Sequence, residues 1–539
     1  MEKKKPNVIL MLIDDLGIGD VSCFNQDGKI KTENIDSLAK EGMRFENSHS
    51  SSSLCTPSRY GLLTGRYNWR SSLKSSLLKG DSQTLIEHDR KTIAHLFKDE
   101  GYNTAAVGKW HLGMDWVYKE YPDFDAYELI PENYPDNIDK KYLFGRDNIF
   151  DPTYNTYTVE GIDIDYSKKI KFGPNQYGFD YFYGTAASLD QPPFVYIEND
   201  KATEIPYKVT GIPNLDRKTA KQPHYWQLGV IGDKYKHDEC PNIMQEKVLD
   251  LINDYSESED PFFIYYPCHL IHGPILPDKN AFGSSKIGSY GDIVLQLDRY
   301  IGEIISTLKN KGIFEDTVFV FTSDNGASGI ADFPKLKKLG HNPSGIYRGH
   351  KMDIWEGGHR EPTIVCYPKL IKKGSIAKQM ICHTDFFATF AELLGVKLDD
   401  KTAEDSFSNL SIWNGENTEV RDSLISSSAN GGFSIRTSEW KLNMVEDGGS
   451  DLRAKLFYYG PCELFKIKED ARELNNVINE YPEVVKELMS KLEEHIKNGR
   501  SSLGEKQKND RNNPTGEWNS ISWMKDYSDY IKPYLDSKD

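Results

Sequence analysis

Asn7-Val8-Ile9-Leu10-Met11-Leu12-Ile13, bounded by Pro6 on one side and Asp14-Asp15 on the other, is a continuous apolar run. A strand with one wet face alternates apolar and polar residues, so a run without alternation reads as a strand buried on both faces of a parallel sheet. Residues 105–107, 262–266 and 317–321 share this texture. Helical patterns lie between them, the clearest over 291–309, where Ile293, Leu297, Ile301, Ile305 and Leu308 fall on one face. Strands alternating with helices predict an α/β fold with a large, mostly parallel central sheet flanked by helices. Such sheets bind ligands beyond the carboxyl ends of their strands.

From about 122 to 227 the chain becomes rich in Tyr, Asp, Asn and Pro, which reads as insertions over one sheet edge that shape a substrate pocket. After Leu394 the buried-strand texture fades. Residues 433–436, 441–444 and 456–459 predict short antiparallel strands, and 480–498 a helix with Val484, Leu488, Leu492 and Ile496 one turn apart. The expected organisation is an α/β domain over 1–418 and a small α+β domain over 419–539, with 498–519 an extended tail laid over the body.

The 539 residues are 38% hydrophobic and 27% charged, a globular composition. The net charge of −16 disfavours nucleic acid, and no apolar run approaches the roughly 18 residues of a membrane span. Seven scattered cysteines without CxxC spacing favour neither a disulfide framework nor a thiolate zinc site. The chain as written starts without a signal-peptide pattern, which favours the cytoplasm; removal of an export signal would instead point to a periplasmic or secreted protein.

Two places concentrate chemistry. Asp14-Asp15 ends the first strand and Ser323-Asp324-Asn325-Gly326 ends another; together their oxygens suit a hard divalent ion such as Ca²⁺ or Mg²⁺. Cys55-Thr-Pro57-Ser58-Arg59 opens a helical pattern, and a helix start favours an anionic substrate. Taken singly, a carboxylate pair is more often a helix cap and a lone cysteine more often buried filler.

The chain resembles the type I, formylglycine-dependent sulfatases of the alkaline-phosphatase-like superfamily. The stretch from Cys55 to Arg66 matches the first signature of that family, and Gly101-Tyr-Asn-Thr104-Ala-Ala-Val-Gly108-Lys109-Trp110-His111 the second. Asp14-Asp15, Asp324-Asn325 and Lys351 ahead of Trp355-Glu-Gly-Gly358 follow in family order. The resemblance implies that a maturase converts Cys55 to formylglycine, whose hydrated aldehyde attacks sulfur and later expels sulfate. It also implies one divalent metal, calcium before magnesium, on Asp14, Asp15, Asp324 and Asn325, with the modified Cys55 side chain beside them. Arg59 would hold the formylglycine, Lys109 would neutralise nearby charge, and His111 would be the base that collapses the sulfated diol. His272, favoured over His269 by the Gly-Pro that follows it, would bind sulfate with Lys351 and protonate the leaving alcohol. His341, His350, His359 and His383 are expected to be structural or to face substrate.

The aromatic stretches 177–184 and 188–196 suit a sulfated sugar or oligosaccharide, with galactose or N-acetylgalactosamine sulfated at O6 or O4 favoured; ordinary packing explains them equally well. A phosphonate monoester or phosphodiester hydrolase of the same superfamily remains an alternative, as does a glycan-binding protein in which Cys55 is never matured.

Overall fold

The computed structural model describes residues 5–120, 126, 128–129, 159–211, 226–445, 447–450 and 463–510. The Asn7–Ile13 strand lies at the middle of the main sheet, paired in parallel with Phe262–Cys268 on one side and Thr317–Ser323 on the other. Asn103–Lys109 and then Tyr181–Thr185 extend the parallel block. Among the described residues the sheet has ten strands, and antiparallel pairs occur only toward its two edges.

Every residue of Phe262–Cys268 and Thr317–Ser323 is buried, as the unalternating sequence requires. Successive side chains go to opposite faces and feed two cores: Val8, Leu10 and Leu12 one, Ile9, Met11 and Ile13 the other. The predicted 291–309 helix is Ser289–Asn310, with Ile293, Leu297, Ile301 and Leu308 buried.

The second, smaller sheet is antiparallel and contains Leu424–Ser427, Phe433–Arg436, Lys441–Asn443 and Glu463–Phe465. The helix Pro482–Asn498 covers it with Val485, Leu488, Leu492 and Ile496. The strand expected at 456–459 falls outside the described residues, as do 122–125, 127, 130–158 and 212–225 of the insertion and the tail after Asp510. Up to Asp510 the tail does lie on the body: Arg66 donates to the Lys508 carbonyl, Arg70 to Asn509 and Lys74 to the Asp510 carbonyl.

Candidate active site

The carboxyl ends of the parallel strands converge on one buried centre. Asp14 follows the first strand, Asp324 follows Thr317–Ser323, and Lys109 ends Asn103–Lys109. Cys55 is the first residue of the helix Cys55–Thr64, with Pro57 in its first turn and Gly65, at φ 64°, closing it in the left-handed conformation. One face of that helix start meets the strand ends: Cys55 Sγ is 3.6 Å from Asp14 Oδ1, and Lys109 Nζ is 2.7 Å from Asp14 Oδ2. Arg59 donates twice to Asp324 Oδ2, at 2.7 and 3.0 Å, and once to the Lys109 carbonyl. Lys351 Nζ is 2.6 Å from Asp15 Oδ1.

Two positions approach this centre only because of their backbone. Asp15 and His111 sit at φ 65° and 56°, the left-handed region that costs an ordinary residue roughly 1–3 kcal/mol and clusters at functional sites. Gly108, just before Lys109, packs so tightly on the neighbouring strand that a β-carbon there would lie 2.2 Å from the Pro267 carbonyl oxygen.

The charges are three carboxylates against Arg59, Lys109 and Lys351, all out of solvent. Burial pushes the Asp14 carboxyl up, but Lys109, His272, Arg59 and Lys351 together hold it well below the usual carboxylate range. Burial and the charge of Asp14 raise Asp324, against the pull of Arg59. Burial would depress the Lys351 ammonium, yet Asp15 and the other acidic groups hold it well above the ordinary lysine value. Burial pushes the Cys55 thiol up to about 12.

The donor set fits a hard cation. Asp15 Oδ2 and Asn325 Oδ1 are enclosed without a hydrogen-bond partner among the described residues, while Asn325 turns its Nδ2 to Asp15 Oδ1 at 2.8 Å. One atom each from Asp14, Asp15, Cys55 and His272 lie within 4.8 Å of one another. With the oxygens of Asp324 and Asn325 beside the two carboxylates, the oxygen donors outnumber the thiol and the imidazole, which suits calcium or magnesium before a softer metal.

The histidines separate by their partners. His111 Nε2 lies 2.9 Å from the Leu78 carbonyl oxygen, which can only accept, so the proton is on Nε2, and the buried Nδ1, without a partner among the described residues, keeps its lone pair. Burial, with Lys109 and Arg59, keeps this ring neutral, its pKa well below the ordinary value. His272 remains partly open, with Nε2 3.7 Å from Asp15 Oδ2 and Nδ1 2.8 Å from the Gly273 carbonyl oxygen. His269 is buried against Thr185 Oγ1 at 2.8 Å, and burial lowers it to about 3. His341 bonds Asp20, His359 meets His49, and His383 meets Thr322, all enclosed; His350 is half-buried beside Asp353.

The small sheet is sewn to both sides of the centre. Ser53, two residues before Cys55, donates its N–H to the Ser427 carbonyl, and Ser427 returns a bond to Ser51. Met352, next to Lys351, donates to Ser53 and accepts from Ala429, and Ile354 donates to Gly448.

The sequence reading missed Asp190, which brings Oδ1 to 3.7 Å from His272 Nδ1; it lay inside a quoted stretch with nothing to distinguish it. That stretch also needs correction: Tyr177, Phe179, Phe182, Phe194 and Tyr196 are core residues. Aromatics that fill a core cannot also stack on a sugar, so only partly exposed rings such as Tyr183 stay available.

Residues 6–396 match the Sulfatase family, and residues 348–498 match N-sulphoglucosamine sulphohydrolase, C-terminal. The chain is 31% identical to the N-acetylgalactosamine-6-O-sulfatase of Bacteroides thetaiotaomicron, over 91% of this chain and 93% of the relative. It is 28% identical to human steryl-sulfatase, over 87% and 84%. A solved structure from work on glycosaminoglycan metabolism by Bacteroides thetaiotaomicron superposes with a TM-score of 0.74 at 29% identity, covering 91% of this chain and 99% of the other. The chain belongs to the sulfatase family and is a sulfuric ester hydrolase.

Proposed function

We propose that this sulfatase acts on a carbohydrate, on galactose or N-acetylgalactosamine sulfated at O6 or O4, through a formylglycine made from Cys55 and one divalent cation, calcium before magnesium. The observation that carries the reading is the state of Cys55. A fully enclosed thiol pushed up to about 12 is a poor nucleophile at neutral pH, yet it sits where Asp14, Lys109 and Lys351 converge. The position needs a different reactive group, and the cysteine is its precursor.

Asp14, Asp15, Asp324 and Asn325 would hold the cation; the orphaned oxygens of Asp15 and Asn325 support this assignment. A formylglycine made by a maturase would supply a hydrated aldehyde as nucleophile, and a bound cation would supply positive charge to the sulfate oxygens.

The other roles follow from the chain's own groups. Arg59, locked onto Asp324, holds the nucleophile's end of the site, and Lys109 offsets negative charge beside Asp14. The buried Lys351 and the partly open His272 both reach Asp15, where they would contact an incoming sulfate. His272 protonates the departing sugar oxygen there. His111, neutral and with a free Nδ1, accepts the proton released when the enzyme resets.

The B. thetaiotaomicron relative supports N-acetylgalactosamine and the 6-position. The test is mass spectrometry of the Cys55 peptide from protein made with a maturase, followed by turnover of N-acetylgalactosamine 6-sulfate and 4-sulfate. Loss of sulfur from Cys55 with turnover of either sugar supports the reading. Unchanged cysteine in a fully active enzyme, or turnover confined to non-sugar sulfates, overturns it.

A further inference from the structure

Away from the catalytic centre, a groove of about 730 Å³ runs between the edge hairpin Ile197–Glu198 and Lys201–Ala202 and the helix Cys240–Tyr255. That volume falls in the range of small-molecule sites, roughly 300–1,000 Å³. In a chain of net charge −16, its lining carries four lysines. Of the two lining carboxylates, Asp200 pairs with Lys169, while Glu198 accepts from the Tyr181 hydroxyl at 2.8 Å and keeps its charge. Four lysines against two carboxylates leave the lining net positive, and Lys201, Lys234 and Lys247 form no ion pair among the described residues.

The groove also has features beyond charge. Lys247 Nζ is held 4.9 Å from the centroid of the partly exposed Tyr183 ring, which stacks on Tyr196 at 5.7 Å. A net positive lining favours an anion, and an aromatic edge suits a sugar ring bearing that anion. The segment from Tyr183 to Tyr196 also carries Asp190 to His272, so one stretch of chain links the groove to the catalytic mouth.

We propose that this groove binds a sulfated oligosaccharide, gripping sulfates distant from the ester under attack. The choice of ligand rests on the carbohydrate reading above; the groove itself does not. The test uses the full chain carrying Cys55→Ala, with and without Lys201→Gln, Lys234→Gln and Lys247→Gln together. Each is titrated with a sulfated N-acetylgalactosamine-containing hexasaccharide, its desulfated counterpart and inorganic sulfate, in saturating sulfated monosaccharide to fill the catalytic site. The sulfated hexasaccharide should bind at least ~10-fold more weakly to the lysine variant, and Lys→Arg at the same positions should restore binding. In otherwise wild-type enzyme the three Gln changes should raise KM for the hexasaccharide and leave turnover of the monosaccharide sulfate unchanged.

Equal affinity in the lysine variant, or equally tight binding of the desulfated sugar or of sulfate alone, overturns the proposal. If the carbohydrate reading alone fails, sugar sulfates are not turned over but the lysine-dependent binding persists. The two failures are therefore distinguishable.

Discussion

Lys109 Nζ lies 2.7 Å from Asp14 Oδ2, and neither side chain reaches solvent. Removing one member of a buried pair costs about 3–5 kcal/mol when the other is left unmatched; here Arg59, 3.6 Å from Asp14 Oδ1, remains as a partial partner, which sets the loss toward the lower end. Lys109→Met should lower stability to urea by that order and slow sulfate-ester cleavage by at least ~10²-fold. A variant as stable and as fast as wild type would detach Lys109 from the centre.

The thiol of unmodified Cys55 should resist alkylation. With its pKa pushed up to about 12, the thiolate fraction at pH 8 is on the order of 10⁻⁴, and burial blocks access as well. Iodoacetamide mapping of protein made without maturase should leave Cys55 unlabelled until urea is added. Cys55→Ala should melt like wild type and turn over nothing. Ready labelling of the folded chain would contradict the enclosed site.

Calcium should raise the melting temperature of chelator-treated protein. At 100 times the dissociation constant a bound ion contributes about 2.7 kcal/mol. Asp324→Asn disturbs Arg59 too, so the informative quantity is the calcium-dependent increment within each protein, which should vanish in the variant. An increment that survives Asp324→Asn and Asp15→Asn would place the ion elsewhere.

His272→Ala should discriminate between leaving groups. A sugar alkoxide needs a proton as its bond to sulfur breaks, whereas nitrophenolate departs with little help. Single-turnover cleavage of a sugar sulfate should slow at least ~10-fold more than that of nitrophenyl sulfate. Equal losses on both esters would reduce His272 to sulfate binding.

Asp405 ties the acid stability of the protein to its C-terminal tail. Burial pushes its carboxyl up, but the paired Arg70 and several hydrogen bonds win and hold it below the ordinary value. A depressed folded-state pKa stabilises above the unfolded value, about 3.9, and that contribution disappears as pH falls through the folded value. Asp405→Asn should therefore unfold more easily at pH 6, and the gap from wild type should close in increasingly acidic urea titrations. A gap independent of pH would assign the effect to packing alone.

The long parallel strands were legible because burial on both faces abolishes alternation, and Phe262–Cys268 shows the result at every residue. The motifs located the residues that meet at Cys55, because each motif sits at a strand end or helix start. Other features were hidden for physical reasons. Outer strands such as Met43–Phe45, second from one edge of the main sheet, are too short for a period to register. The left-handed backbone of Asp15 depends on Asp324 and Asn325, more than 300 residues away. The buried contacts of Glu356 with Arg436 and Lys441 join groups that look solvated in sequence. The aromatic run misled because a ring's chemistry is the same in a core and in a sugar site.

The stitching of the small sheet to Ser53 and Met352 makes it a spacer gauge for the centre. Cys55 and Lys351 lie on segments nearly 300 residues apart, and the strand edge at Ser427–Ala429 bonds to the chain beside each of them. A chain ended at residue 418 would keep every motif intact while losing the ruler between nucleophile and ammonium. Its defect would be one of alignment, which no restored side chain or added metal could repair.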